Sequence, residues 1–183
     1  MASRCILQIA LLLSFTTSLS LSYDLLQLQQ QQRSSNSACL KLLRQVKGKP
    51  EHCQQDRMDF KFPEEIKQPR PFQKEMAALV IQEMLQNIFV IIRKEFSTTV
   101  WNKTIVDDLL DKLHQQMDRL KSTILQERPE DTNMTTLRLK SYYWRISRYL
   151  TARENSICAW TVVQAELISK FPIINSLTDY FQD

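Results

Sequence analysis

Four cysteines, two histidines and the acidic pair Asp107-Asp108 are the first places to look for covalent, metal-binding or proton-transfer chemistry in this chain. His52 stands next to Cys53, where an imidazole could hold a thiolate. Adjacent side chains rarely converge on one substrate atom, however, and Cys53 serves better as one end of a disulfide. Asp107-Asp108 open an amphipathic segment, where acids complement the positive end of a helix dipole rather than work as an acid and base pair. Gly48 is the one glycine of the chain, so there is no glycine-rich phosphate loop, and no paired-cysteine metal spacing occurs. These residues therefore assign no catalytic residue, no metal ligand and no cofactor. Two asparagines are open to modification instead: Asn102-Lys103-Thr104 and Asn133-Met134-Thr135 satisfy the N-glycosylation pattern, each at an expected loop-to-helix junction.

The compartment follows from the first residues. Arg4 precedes a largely apolar run from Ile6 to Phe15, and Ser18-Leu19-Ser20 supplies small residues for cleavage after Ser20. This pattern predicts a secretory signal over residues 1–20 and one mature domain over 21–183. The run is too short for the roughly 20 residues of a transmembrane helix. No later stretch is expected to span a membrane, since Gln82, Glu83, Gln86 and Asn87 interrupt the most apolar one, Met76 to Ile92. The formal charge of +4, reduced by one when Arg4 leaves, does not suggest a nucleic-acid partner.

Cys5 departs with the signal, leaving Cys39, Cys53 and Cys158. An odd count in an oxidising compartment predicts one bridge and one spare thiol. Cys39 shares a helical apolar face with Leu28, Leu42 and Val46, which reads as a buried, unreactive thiol. Cys53 and Cys158 remain as the pair, closing a loop of about 100 residues worth roughly 4.7 kcal/mol in the chain-entropy treatment.

The elements that must position these groups are helical. With one glycine, tight hairpins and close sheet crossings have almost nothing to build on. A first helix is expected from Tyr23 to Val46, interrupted by a solvated glutamine run at Gln29 to Gln32 and stopped by Gly48 and Pro50. Lys49 to Pro71 has no helical period, carries four prolines, and reads as a long crossover and the first candidate for a binding surface. Phe72 to Lys94 is apolar on more than one stripe and belongs near the middle of a bundle. After a break at Phe96 to Val100, Val106, Leu110, Leu113, Met117, Leu120 and Ile124 form a seam that packs internally rather than making a coiled-coil homodimer, so a monomer is expected.

Arg128-Pro129-Glu130-Asp131 ends that helix. The next starts near Met134, with Leu139, Tyr143, Ile146 and Leu150 inside and Arg138, Arg145, Arg148 and Lys140 on a basic, solvated face. The last segment places Trp160, Val163, Leu167, Phe171, Ile174, Leu177 and Phe181 on one buried stripe. Its other side offers Gln164, Glu166, Ser169, Lys170, Ser176 and Asp179 to water or a partner. Pro172 predicts a bend or break near Ile168 to Phe171.

Four stretches together carry a specific resemblance over essentially the whole chain: the crossover segment from Cys53 through Arg57, Phe60 and Phe62 to Glu65, then Phe72-Gln73-Lys74-Glu75, Glu83 to Phe89, and Cys158-Ala159-Trp160. The chain resembles the type I interferons, and Glu64 to Gln68, Trp101 to Val106 and three mature cysteines favour the beta kind. The resemblance implies an all-α, five-helix up-up-down-down cytokine bundle with a long first crossover clipped to the last helix by Cys53 and Cys158. It implies a secreted ligand that bridges both chains of the type I interferon receptor and triggers kinase signalling, with antiviral and antiproliferative gene expression. Arg57, Ala165 and Ile168 match contacts to the high-affinity receptor chain, and Lys140 matches a contact to the low-affinity chain. Gln54, Gln164 and Ser169 depart from the family, a leucine being usual at the first and arginines frequent at the other two.

The bundle pattern alone also admits another four-helix cytokine or growth factor, which the motifs at 53–65 and 158–160 disfavour. An amphipathic lipid-surface carrier is the reading from a different class. It needs apolar faces opening onto lipid, whereas a bridge from crossover to last helix favours a closed bundle without membrane insertion.

Overall fold

A computed structural model describes residues 2–45, 53, 55–67, 72–95, 101–125 and 133–182. The expected stops at Gly48 and Pro50, Pro69 and Pro71, His52, the departure at Gln54, the 96–100 break and Arg128 to Asp131 lie outside these residues. Five long helices and one short one are present among the described residues: α1 Ala2–Gln45, α2 Glu64–Lys67, α3 Lys74–Glu95, α4 Lys103–Leu120, α5 Met134–Ala152 and α6 Ile157–Leu177. A π-turn, Lys121–Leu125, continues α4, and a 3-10 turn, Thr178–Gln182, continues α6. The arrangement is the five-helix cytokine bundle, with α2 a single turn inside the long first crossover.

Helix α3 earns its central place by composition. Ala77, Val80, Ile81, Met84, Leu85, Ile88 and Ile92 are all buried, and α3 packs against α4, α5 and α6. The α6 stripe from Trp160 to Phe181 is buried throughout, with Trp160 meeting Trp101 edge-on at 4.9 Å between ring centroids. In α4, Leu109 is fully buried and widens the expected seam, in which Leu110 and Ile124 are half-buried against the core.

Several polar residues take positions different from those expected. Helix α1 runs through Gln29–Gln32 without interruption, and Gln29 and Gln32 are buried, not solvated. Straight-chain glutamine costs a helix little, and each side chain finds a partner. Gln29 donates to the Thr178 carbonyl at 2.8 Å, Gln32 donates to the Gln116 side chain, and Asn36 donates to Asn175 Oδ1 at 2.7 Å. Gln116 in turn donates to Cys39 Sγ at 3.4 Å. Leu25, Leu28, Gln32, Asn36, Cys39 and Leu43 thus form one mixed stripe that seats α1 on α4 and α6.

Helix α6 also continues through Pro172 from Ile157 to Leu177, so the expected break does not occur. Pro172 is exposed while Phe171 and Ile174 are fully buried. The hydrogen bond that proline deletes therefore lies on the solvent side, where the Ile168 carbonyl can meet water, and core packing holds the helix on either side. Two helices prove long and apolar enough to cross a membrane by length and composition, Lys74–Lys94 and Ile157–Gln182, contrary to expectation from the interrupting polar residues. Half of each such window is buried inside the bundle.

Cys39 is a free, fully buried thiol. Burial, only partly offset by the Gln116 hydrogen bond, pushes it from 9.0 up to about 12. The unfolded chain loses this proton near its ordinary value and the folded chain does not. The stabilisation is therefore complete below about pH 9 and declines as pH rises toward 12, by at most ~1.4 kcal/mol per pH unit. Desolvation raises buried Tyr142 and Tyr143 as well, adding the same sign at higher pH. Urea titrations near pH 8 and near pH 10 should show Cys39→Ser losing less stability between them than the native chain. Equal losses would place the titration on another group.

Candidate functional site

The described part of the crossover begins at a disulfide. Cys53 and Cys158 are joined at 2.06 Å, with 5.1 Å between their Cα atoms, which ties the segment to the first turn of α6. Ser156 caps that turn, its side chain accepting from the Ala159 amide at 3.2 Å.

From there the segment is fastened mainly by α5. Arg138, Tyr142, Arg145, Tyr149 and Arg153 recur at steps of four, three, four and four, one stripe continued into the turn after the helix. Tyr149 donates to the Asp56 carbonyl at 2.7 Å, and Arg153 pairs with the Asp56 carboxylate at 2.6 Å. Arg145 donates to two successive carbonyls, Phe60 and Lys61, at 3.0 Å each. Arg138 pairs with Glu65 at 2.8 Å. Phe60 and Phe62 are buried beneath these bonds, packed edge-on against Tyr149 and Tyr142. Two of the arginines expected to line a solvated face, Arg138 and Arg145, thus form a clamp with Arg153, while Arg148 stays exposed: carbonyls of an extended segment need donors, and a planar guanidinium can serve two at once.

Lys61 takes a left-handed backbone, φ 55°, unusual for a residue with a Cβ. Asp59 supports it by accepting from both the Lys61 amide at 2.8 Å and its ammonium at 2.6 Å, contacts that lower the Asp59 carboxyl below its usual range. On the α6 side, Lys170 is buried rather than offered to a partner. It pairs with Glu166 at 2.8 Å and lies 4.8 Å from the Phe62 ring centroid, while Tyr142 donates to the same Glu166 carboxylate at 2.5 Å. Burial, with the neighbouring Tyr143 and Glu166, drives the Tyr142 hydroxyl well above its ordinary value. Gln164 is likewise buried, donating to the Leu43 carbonyl at 2.6 Å. This departure from the family pattern faces α1 and is withdrawn from any partner on the outer face.

Held in this way, Arg57 stays exposed beside a groove of about 420 Å³ walled by Asp56, Met58, Trp144, Arg148 and Tyr149. Ala165 is exposed and Ile168 half-buried on α6; neither is among the walls of the Arg57 groove, which belong to the crossover, α5 and its following turn. Lys140 projects elsewhere, 3.8 Å from Glu83, at the edge of a second groove between α3 and α5. The periodic recurrence of arginine and tyrosine along α5 was the available sign that this helix holds the crossover. The spacing of Arg138, Arg145 and Arg148 alone did not reveal it.

Both glycosylation-pattern asparagines are helix N-caps. Asn102 accepts from the Thr104 amide and Asn133 from the Thr136 amide, each at 2.9 Å through the side-chain oxygen. Among the described residues, no three His, Cys, Asp or Glu side chains gather as a metal site would require.

A closed helical bundle with a long crossover pinned across one face, and exposed side chains displayed along it, defines the helical cytokine class. The interferon alpha/beta domain matches residues 28–181. Interferon beta of Equus caballus is 54% identical and that of Homo sapiens 52%, each match covering 100% of both chains. Among solved structures, zebrafish interferon 2 superposes with a TM-score of 0.64 at 25% identity, over 78% of this chain and 96% of that one. The chain belongs to the interferon alpha/beta family and is a type I interferon cytokine.

Proposed function

We propose that residues 1–20 direct secretion and are removed, and that residues 21–183 act as a monomeric extracellular ligand joining the two chains of the type I interferon receptor. Arg57, with Ala165 and Ile168, meets the high-affinity chain; Lys140 belongs to the surface for the low-affinity chain. Apposition of the receptor tails starts kinase signalling and the antiviral and antiproliferative response, with no catalytic step by the ligand itself. The observation that carries this reading is the clamped crossover: four α5-side donors and one disulfide immobilise the segment around an exposed arginine. Such preorganisation lowers the ordering cost of binding. An interferon-response reporter in matched cells, repeated after deletion of each receptor chain, tests it. Signal is expected to vanish with either deletion, and activity that survives one of them would overturn the two-chain mechanism.

N-linked glycans are assigned to Asn102 and Asn133, with unequal occupancy. Attachment uses the amide nitrogen and leaves the capping oxygen in place. Asn102 is exposed, whereas Asn133 is half-buried with its nitrogen 3.2 Å from Met76 Sδ. Peptide mapping after glycosidase treatment should find Asn102 more fully converted to aspartate; greater conversion at Asn133, or none at either, would reject the assignment.

A further inference from the structure

The stripe by which α1 sits on α4 is polar in its middle. Leu25 and Leu28 precede that part and Leu43 follows it, but between them Gln32, Asn36 and Cys39 are fully buried, at steps of four and three, with Ser35 half-buried beside them. Gln116 and Arg119, one turn apart on α4, face this patch. Gln32 donates to the Gln116 side chain, Gln116 to Cys39 Sγ at 3.4 Å, and Arg119 to Ser35 Oγ at 2.7 Å.

Three buried atoms of this cluster meet no hydrogen-bond partner among the described residues: Gln32 Oε1, Asn36 Oδ1 and Arg119 Nε. The bonds that Gln32 and Asn36 make, to Gln116 and Asn175, use their amide nitrogens and leave the oxygens over. Two of the three atoms are therefore acceptors and one is a donor. The acceptors belong to residues four apart on one helix, where Cβ atoms lie about 5–6 Å from each other, a span that one small molecule can bridge.

A ligand that completes the cluster must donate two hydrogen bonds and accept one, which is within the capacity of a single water. A metal cation would be repelled by the Arg119 guanidinium, and an anion by the two amide oxygens. The chain of bonds can also run the other way, Cys39 donating to Gln116 and Gln116 to Gln32. Gln32 then has an N–H to spare instead of an oxygen, and a water serves that as well.

We propose that one internal water, donating to Gln32 Oε1 and Asn36 Oδ1 and accepting from Arg119 Nε, is bound between α1 and α4 and completes the seat of α1. Burying these atoms without partners costs more than immobilising a water does. The site also fixes register. If α1 slipped by one turn, Leu28 would stand opposite Gln116 in place of Gln32, and the amide and guanidinium of α4 would lose their partners inside the core.

The test is a crystal structure of the mature chain at a resolution that shows ordered water, with water-oxygen magnetic relaxation dispersion on the same protein in solution. The crystal should show one water at hydrogen-bond distance, about 2.7–3.2 Å, from all three atoms. Folded proteins hold about one buried water per 27 residues, so the solution count is read as a difference. Asn36→Leu, similar in volume but without the oxygen, should hold one long-lived water fewer than the native chain. Direct contact among the three atoms, a dry gap between them, an ion in their midst or an unchanged water count in Asn36→Leu would each overturn the proposal. The native crystal decides the matter even if Asn36→Leu does not fold.

Discussion

Arg57→Ala is expected to lower affinity for the high-affinity receptor chain by at least ~2 kcal/mol, about 30-fold in the dissociation constant. The magnitude follows from how the residue is held. Its neighbour Asp56 is tied at two points, the carbonyl by Tyr149 and the carboxylate by Arg153. Three residues further on, the Phe60 carbonyl is tied by Arg145 and its ring is buried. The backbone at Arg57 is therefore bracketed by fixed points, while its own side chain remains exposed beside a groove. A guanidinium presented from a rigid backbone can form two parallel bonds to a carboxylate without ordering a loop first. Arg57→Lys, which retains the charge but not the fork, should recover only part of the loss. Titration calorimetry or surface plasmon resonance decides the matter, and a dissociation constant indistinguishable from that of the native chain would remove Arg57 from the receptor surface.

Replacing Cys53 and Cys158 together with serine should destabilise the fold by about 2–5 kcal/mol. The two cysteines are separated by 105 positions, so the bridge removes a large share of the unfolded chain's freedom. The loss in receptor binding should be smaller than the loss in stability. Even without the sulfur link, Tyr149, Arg145, Arg153 and Arg138 still hold residues 56 to 65 against α5. Urea unfolding measures the first effect and binding at low temperature, where the variant remains folded, measures the second. An unfolding midpoint that does not move would show that the α5 clamp suffices alone. Abolished binding by a folded variant would show that it does not position Arg57 at all.

The contrast between these two experiments reflects what was readable along the chain. The pairing of Cys53 with Cys158 followed from the odd cysteine count and the apolar surroundings of Cys39, which are features of composition and helical spacing. The α5 clamp did not, because Arg145 meets carbonyls more than 80 residues away and a backbone acceptor has no residue-type signature. The basic residues of α5 could be placed on a face, but not assigned a partner. The same limit explains Lys170 and Gln164, which spacing alone places on the outer side of α6. Lys170 pairs with Glu166 inside the bundle beside two aromatic rings, and Gln164 donates to a carbonyl of α1.

Local pattern by itself determined the helical class, the inner stripes of α5 and α6, the central place of α3 and the sulfur pairing. Each depends on apolar periodicity or residue count, and hydrophobic burial is non-directional, so spacing is sufficient to read it. Only the tertiary structure decided which polar groups enter the core, since burying one is costly unless a partner completes its hydrogen bond. That partner can lie anywhere in sequence: Gln29 finds its acceptor 149 positions away, at Thr178. The same holds for the surface. Arg57 borders a groove walled largely by α5, and Trp144 stays exposed, because directional bonds between remote residues set where the crossover lies and what it leaves uncovered.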